Sequence, residues 1–200
     1  MDETSLIAAA QHGDLDSFNR LVINYQDQVY NHAYRTMGEK DAAADATQDA
    51  FIAAFRNIRS YRGGSFRAWL FRIVTNACYD ELRRRKRRPT TSLEPLDDAG
   101  EEMESPAWLA DSSDTPEIAV ERKELETAIQ HCLDGLQEDF RTVIVLVDVN
   151  GMDYDEAAVV IGKPMGTIKS RLARARGHLR DCLQGYLELL PSLFRLGDKS

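Results

Sequence analysis

Apolar residues recur every three or four positions along most of this chain, which is the spacing of one face of an α-helix. A first stripe runs through SFNRLVINYQDQVYNHAYRTM and comprises Phe18, Leu21, Val22, Tyr25, Val29, Ala33 and Met37. After a break at Gly38, a second helix is predicted over DAAADATQDAFIAAFRNI, with an apolar stripe of Phe51, Phe55 and Ile58. The pattern predicts an all-α fold.

A third helix is predicted after the turn at Gly63 and Gly64. It ends in the basic run RRRKRR, and its inward positions are Phe66, Trp69, Leu70, Ile73, Ala77 and Leu82. Aromatic residues interleaved with Arg and Lys favour a surface for single-stranded nucleic acid. Nucleobases stack on the aromatic rings, while the cationic side chains follow the phosphate backbone. Asn76 lies on the polar side of the helix, where its amide can make two hydrogen bonds to a base edge.

The helical period stops in the middle of the chain, where residues 89–117 contain four prolines and many Asp, Glu and Ser residues. Such a segment cannot bury enough apolar surface to offset its ordering entropy. We therefore predict two small helical domains joined by a flexible acidic linker. The predicted bounds are 1–88 for the first domain, 89–120 for the linker, 121–185 for the second domain and 186–200 for a C-terminal tail.

The second domain is predicted to end in a helix-turn-helix. Two striped helices fall within residues 122–150, and their apolar positions are Leu125, Ile129, Cys132, Leu136, Phe140, Val143, Ile144 and Val147. Asp153 can cap the next helix, and Glu156 three residues later completes a capping-box pair. Gly162 and Pro164 end that helix, and another begins near Gly166. A helix, a short glycine-containing turn and a second helix are typical of DNA-binding proteins.

The last of these helices has two unlike sides. Its core side comprises Ile168, Leu172, Ala175 and Leu179, and its opposite side Gly166, Lys169, Ser170, Ala173, Arg174 and Gly177. Small residues alternating with hydrogen-bond donors would let the helix enter a DNA major groove. On the flanks, Arg171 and Arg176 would meet phosphates.

Charge is strongly segregated along the chain, whose net charge is -8. Residues 56–88 hold eleven bases against two acids, and residues 163–180 hold six bases and no acid. Such a cluster of basic residues attracts the phosphate groups of nucleic acids. The alternative is a solvated helix face, which is the usual meaning of a charge run. Two such clusters separated by an acidic tract favour nucleic-acid binding.

A small acidic patch lies on the second helix, where Asp45, Gln48 and Asp49 share one face. We interpret it as a docking surface for a basic protein partner, with a plain solvated face as the alternative. The sequence contains no carboxylate cluster or nucleophile–base pair suited to catalysis, so no enzymatic activity is expected.

The apolar runs, such as TVIVLV, are too short to cross a bilayer, and the N-terminus lacks the order of a signal peptide. We therefore expect a cytoplasmic protein without membrane insertion. The odd cysteine count, with no C-x-x-C pair, argues against a disulfide framework and a zinc site and predicts three thiols: Cys78, Cys132 and Cys182. The four histidines have no partner at metal-ligand spacing, so no metal or cofactor is expected.

With these segments in view, the chain resembles the extracytoplasmic-function (group 4) sigma factors of the sigma-70 family, initiation subunits of bacterial RNA polymerase. DAAADATQDAFIAAF is similar to the family's core-binding motif, and GGSFRAWLFRIVTNACYDELRR to its promoter-melting and minus-ten segment. GKPMGTIKSRLARAR is similar to its minus-thirty-five recognition helix. The resemblance extends from about residue 13 to residue 183.

The resemblance implies roles for the matched residues. Binding to the clamp helices of the polymerase largest subunit is implied for Asp45, Gln48, Asp49 and Ile52. Contact with the minus-ten non-template strand is implied for Gly64, Ser65, Phe66, Arg67, Asn76, Arg83 and Arg84. Contact with the minus-thirty-five element is implied for Thr167, Lys169, Ser170, Arg171, Ala173, Arg174 and Arg176. At Ala173 some family members carry a bulky side chain, so base preference there does not transfer.

The implied partners are the polymerase core enzyme, promoter DNA and an anti-sigma factor. A stand-alone helix-turn-helix repressor is the main alternative. It would not explain the acidic patch around Asp45 or the third predicted helix, in which aromatic and basic residues alternate. An enzyme acting on nucleic acid is a further alternative, but it would need the clustered carboxylates or nucleophile–base pair that the sequence lacks.

Overall fold

The computed structural model describes residues 2–87 and 116–189, and this part of the chain is helical, as predicted. Its α-helices are α1 (Glu3–Gln11), α2 (Leu15–Met37), α3 (Lys40–Asn57), α4 (Phe66–Arg87), α5 (Pro116–Asp134), α6 (Glu138–Ile144), α7 (Tyr154–Ile161) and α8 (Met165–Leu183). Short 3-10 helices cover Ile58–Ser60 and Gln184–Leu189, and a π-helical turn covers Val145–Val149. The predicted all-α class is confirmed.

Helix α2 buries the stripe that the sequence predicts. Within it Leu21, Val29 and Ala33 are almost completely buried, and Val22 packs at the edge of the core. The helix ends at Gly38, whose φ of 77° lies in the left-handed region that favours glycine. Its N–H donates to the carbonyl of Tyr34 and so closes the last turn.

The predicted stripe of α3 is partly wrong. The buried face of this helix is made of alanines, namely Ala42, Ala43, Ala46, Ala50 and Ala54. Phe55, predicted to face the core, is 38% exposed and touches Phe18 edge-on with ring centroids 5.0 Å apart. Ile58 is buried as predicted. Small side chains let α2 and α4 approach α3 closely, so its larger residues are moved to the rim of the contact.

Helix α4 buries more of its circumference than a one-sided stripe allows. Phe66 and Leu70 are buried as predicted, whereas Trp69, Ile73, Ala77 and Leu82 are only half-buried. Additional buried positions are Ala68, Phe71, Val74, Thr75 and Cys78. The reason is that α4 packs against α2 and α3 on one side and against α7 on another.

The C-terminal half contains the predicted helix-turn-helix. Helix α5 begins at Pro116, inside the predicted flexible linker, so residues 116–120 belong to a helix rather than to the linker. Asp153 caps α7, since its carboxylate accepts a hydrogen bond of 2.7 Å from the N–H of Glu156. Gly162, with a φ of 68°, ends α7 and turns the chain toward α8. Most of the predicted flexible linker and the end of the predicted tail lie outside the described residues.

A disulfide joins Cys132 in α5 to Cys182 at the end of α8, with Cα atoms 5.7 Å apart. The prediction of three thiols was therefore wrong. The two cysteines are 50 residues apart in sequence, and only the packing of α5 against α8 brings them together. Cys78 is the free thiol and lies buried in α4, where burial raises its pKa to about 12.

The two halves pack against each other through a shared apolar cluster. Residues of α2 and α4, such as Val29 and Phe71, belong to the same cluster as Ile144 and Ala157 of the C-terminal half. At its edge the end of α2 meets the end of α5 so closely that a Cβ at Gly38 would lie 2.6 Å from Asp134 Oδ1. The predicted domain bounds in sequence stay predictions.

Candidate nucleic-acid interface

Helix α8 is the second helix of the helix-turn-helix, and one of its sides, called here the outer face, is exposed. Ile168, Leu172 and Ala175 are buried, which fixes the rotation of the helix about its axis. The opposite side is therefore exposed, and it carries Lys169, Ser170, Ala173 and Arg174. The structure brings together on one surface the residues that the sequence predicts to face a major groove.

The flanking arginines of α8 are already paired with carboxylates. Arg171 lies 2.6 Å from Asp139 Oδ2, and Arg176 binds both oxygens of Asp148 at 2.5 and 2.9 Å. These hydrogen bonds raise the pKa of Arg176 above its ordinary value. Sequence reasoning missed both acids, because they belong to α6 and the π-helical turn, about 30 residues away. They hold α8 against the preceding elements of the same half.

The start of α8 has further local contacts. Lys169 places its ammonium group 5.6 Å from the centre of the Tyr154 ring, a cation–π contact that links α8 to α7. Ser170 donates a 3.0 Å hydrogen bond to the carbonyl of Thr167, which leaves the hydroxyl oxygen free to accept. Thr167 itself is half-buried.

A second candidate surface begins at the loop before α4. Gly63 and Gly64 have φ values of 98° and 91°, and the Gly64 carbonyl accepts a 2.6 Å hydrogen bond from the Tyr61 hydroxyl. Ser65 caps α4, because its Oγ accepts from the N–H of Ala68. Phe66 is only 3% exposed and supports the loop from the core side. Direct contact of Phe66 with DNA stays a prediction.

Farther along α4, Asn76 is exposed as predicted. Arg83 and Arg84 are exposed too, and each pairs with an acid one turn earlier on the helix, Asp80 and Glu81 respectively. Hydrogen bonds from Arg84 and Arg85 lower the pKa of Glu81. The end of α4 therefore carries arginines partly neutralised by its own acids.

The acidic patch lies on the solvent side of α3. Asp45, Gln48, Asp49 and Ile52 are all exposed, and Ile52 adds an apolar side chain that is 42% exposed. The patch borders an open groove of about 570 Å³ between α3 and α4, which is also lined by Asn76. The predicted protein-docking residues and the predicted base-contacting residue thus share one groove.

Within residues 2–87 and 116–189, no helix is both long and apolar enough to cross a bilayer. The same described residues contain no group of three or more His, Cys, Asp or Glu side chains arranged to hold a metal ion.

Comparison with known proteins relates both surfaces to one family. The model of Sigma-70 region 2 matches residues 21–88, and that of Sigma-70 region 4 matches residues 126–179. The RNA polymerase sigma-H factor of Pseudomonas aeruginosa is 36% identical over 186 residues, covering 92% of this chain and 95% of that protein. The ECF RNA polymerase sigma factor SigE of Mycolicibacterium smegmatis is 36% identical over 176 residues, covering 88% of this chain but only 65% of that protein.

A solved structure has the same fold. It is the sigma factor RpoE of Bartonella quintana in complex with the anti-sigma factor NepR, with a TM-score of 0.65 and 25% identity over 85% of this chain and 98% of that chain. Both sigma-70 regions are matched in order, and the Pseudomonas relative is matched over nearly its whole length. The chain therefore belongs to the extracytoplasmic-function sigma factors of the sigma-70 family, the RNA polymerase subunits that direct promoter-specific initiation of transcription.

Proposed function

We propose that this sigma factor divides its work among three surfaces. The exposed patch of α3 (Asp45, Gln48, Asp49 and Ile52) binds the clamp helices of core polymerase. The loop before α4 and the helix itself (Gly64, Ser65, Phe66, Arg67, Asn76, Arg83 and Arg84) bind the minus-ten strand, the buried Phe66 by supporting the loop from the core side. The outer face of α8, together with Thr167, Arg171 and Arg176, binds the minus-thirty-five element.

The observation that carries this assignment is the exposure of Lys169, Ser170 and Arg174 on one face of a helix whose opposite face is buried. That geometry leaves polar side chains exposed on the side of the helix that faces away from the protein, as reading base edges in a major groove requires. The protein supplies binding and positioning, and the polymerase performs the chemistry. Its place of work is the cytoplasm, because both the polymerase and the promoter are there in a bacterium.

The proposed function is tested by run-off transcription with purified core polymerase on genomic DNA fragments. Addition of the protein is expected to start transcripts at a defined set of promoters that core polymerase alone does not use. Tight binding to duplex DNA without core polymerase, combined with no selective initiation, would instead indicate a helix-turn-helix repressor.

An anti-sigma factor is part of the proposal. The Bartonella quintana protein was solved in complex with the anti-sigma factor NepR, and its fold aligns with most of this chain. We extend the same class of partner to this protein.

Arg174→Ala is expected to weaken discrimination at the minus-thirty-five element by about 1–3 kcal/mol, because the exposed guanidinium is placed to bond a base edge. Holoenzyme binding to promoters with single changes in that element provides the measurement. Arg180→Ala is the matched control, since Arg180 is also exposed on α8 but pairs with Asp181 near the helix end. An equal loss on every sequence would mean that Arg174 touches only phosphate.

Asn76→Ala is expected to slow open-complex formation about tenfold while leaving core binding within twofold, because the side chain is exposed and its loss removes base contacts without disturbing packing. Permanganate footprinting of the melted strand and a separate core-binding titration distinguish the two steps. Equal losses in both would show that the substitution acts on the fold or on core docking.

A further inference from the structure

Tyr154 touches two of the cations that the proposed function assigns to the minus-thirty-five element. The ammonium of Lys169 lies 5.6 Å from the centre of the tyrosine ring. Arg176 is its second neighbour: the pKa of Arg176 is raised mainly by the hydrogen bonds to Asp148, and a hydrogen bond to Tyr154 adds to that effect. Lys169 and Arg176 lie about two helical turns apart on α8, so both reach the side on which α7 packs.

The position of Tyr154 is set by the fold. It is the first residue of α7, which begins at the N-cap Asp153, and its half-buried ring packs against the apolar cluster of the protein. Lys169 is exposed, and it carries its charge on a flexible four-carbon stem. The ring is therefore the fixed member of the pair, and the lysine is the member that it restrains.

The restraint on Lys169 differs in kind from that on the neighbouring arginines. Arg171 and Arg176 are each paired with a carboxylate, which neutralises the charge and occupies N–H groups. Over residues 2–87 and 116–189, no carboxylate forms an ion pair with Lys169, and the aromatic ring holds it instead. A cation–π contact leaves the positive charge in place, and an ammonium group has three N–H donors. Lys169 is therefore held while it keeps donors for a base.

Such a restraint matters for reading a base edge. A free lysine side chain must lose rotamer freedom when it bonds a base, and this entropy cost weakens binding. A contact that holds the ammonium near its bound position before DNA arrives reduces the cost. In the major groove, lysine pairs with the O6 and N7 acceptors of guanine. A positioned ammonium would therefore favour guanine over a base that lacks this pair of acceptors.

We propose that Tyr154 is a positioning residue of the minus-thirty-five surface, and that its ring holds the ammonium of Lys169 where it reads a guanine edge. This inference rests on the assignment of Lys169 to the minus-thirty-five element in the proposed function. The ring carries the effect, and the hydroxyl beside Arg176 is not required. A substitution that keeps an aromatic ring should therefore keep the effect, and one that removes the ring should lose it.

The test compares Tyr154→Phe with two variants without a ring, Tyr154→Leu and Tyr154→Met. Binding of each holoenzyme is measured on promoters that carry every single base change in the minus-thirty-five element. We expect the Leu and Met variants to lose about two- to fivefold of discrimination at the base pair where Lys169→Ala loses its own. Tyr154→Phe should discriminate as the wild-type protein does. In the Lys169→Ala background, removal of the ring should cost nothing further, because the two side chains act as a unit.

Two controls guard against a defect of folding. Circular dichroism establishes that the variants are folded, and the use of both Leu and Met keeps the comparison if one of them is not. In the wild-type protein, nuclear magnetic resonance should show the ε-methylene protons of Lys169 shifted upfield by the ring current of Tyr154. Ordinary lysine shifts for these protons would overturn the proposal without any variant.

Three binding results would also overturn it. They are a loss in Tyr154→Phe equal to that in Tyr154→Leu, an equal loss at every base pair, and a further loss in the Lys169→Ala background. If Lys169→Ala reduces discrimination while the variants without a ring do not, only the role of Tyr154 is wrong. If Lys169→Ala changes discrimination at no base pair, the assignment of Lys169 in the proposed function fails as well.

Discussion

Replacement of Asp45 and Gln48 together by Arg is expected to abolish binding to core RNA polymerase while leaving the fold intact. Both side chains are exposed on α3, and its buried face is made of alanines on the other side of the helix. The change therefore removes no core contact. It places two cations on a patch that we assign to a basic partner, and charge reversal at an interface costs several kcal/mol.

The expected loss of affinity is at least about 100-fold, measured by titrating labelled core polymerase. Glu124→Arg with Thr127→Arg is a matched control, because these exposed residues of α5 have the same spacing and the same total change in charge. Circular dichroism establishes that both variants are folded. Unchanged core binding by the Asp45 and Gln48 variant would contradict the docking assignment.

Loss of the Cys132–Cys182 disulfide is expected to lower the free energy of unfolding by about 4 kcal/mol. The bond closes a loop with a sequence separation of 50 residues, and such a cross-link acts mainly by reducing the entropy of the unfolded chain. Urea unfolding of the oxidised protein, with and without reductant, measures the difference. A variant with both cysteines replaced by Ser should match the reduced protein and gain nothing from oxidation.

The disulfide would be contradicted by an equal free energy of unfolding in oxidising and reducing buffer together with three reactive thiols in both. Reducing compartments keep most cysteines as thiols. The comparison therefore also gives the stability of the form that a bacterial cytoplasm would favour.

How well a helix could be predicted depended on how much of its circumference is buried. Helix α8 packs on one side only, so its buried residues Ile168, Leu172 and Ala175 follow directly from the helical period. Helix α4 lies between α3 and α7, and a one-sided stripe could not anticipate that Val74 and Cys78 are buried as well. In α3 the period was carried by alanines, which a search for large apolar residues overlooks.

In the candidate site too, features that depend on local helix geometry could be predicted, and contacts between distant parts of the chain could not. Exposure of Asn76 and Arg174 followed from helix geometry, which is local information. The pairing of Arg171 with Asp139, the disulfide and the contact between Ser65 and Glu156 all join positions distant in sequence. Periodicity contains no information on such pairs, because they depend on how whole helices pack.

The carboxylates that hold Arg171 and Arg176 also affect how DNA binding should respond to ionic strength. A lysine or arginine on the protein surface normally releases a condensed counterion from DNA when it contacts a phosphate. Each such release steepens the salt dependence of the affinity. Here Asp139 and Asp148 already neutralise two of the six bases of residues 163–180. The salt dependence of promoter binding should therefore be shallower than the number of lysines and arginines in residues 163–180 suggests.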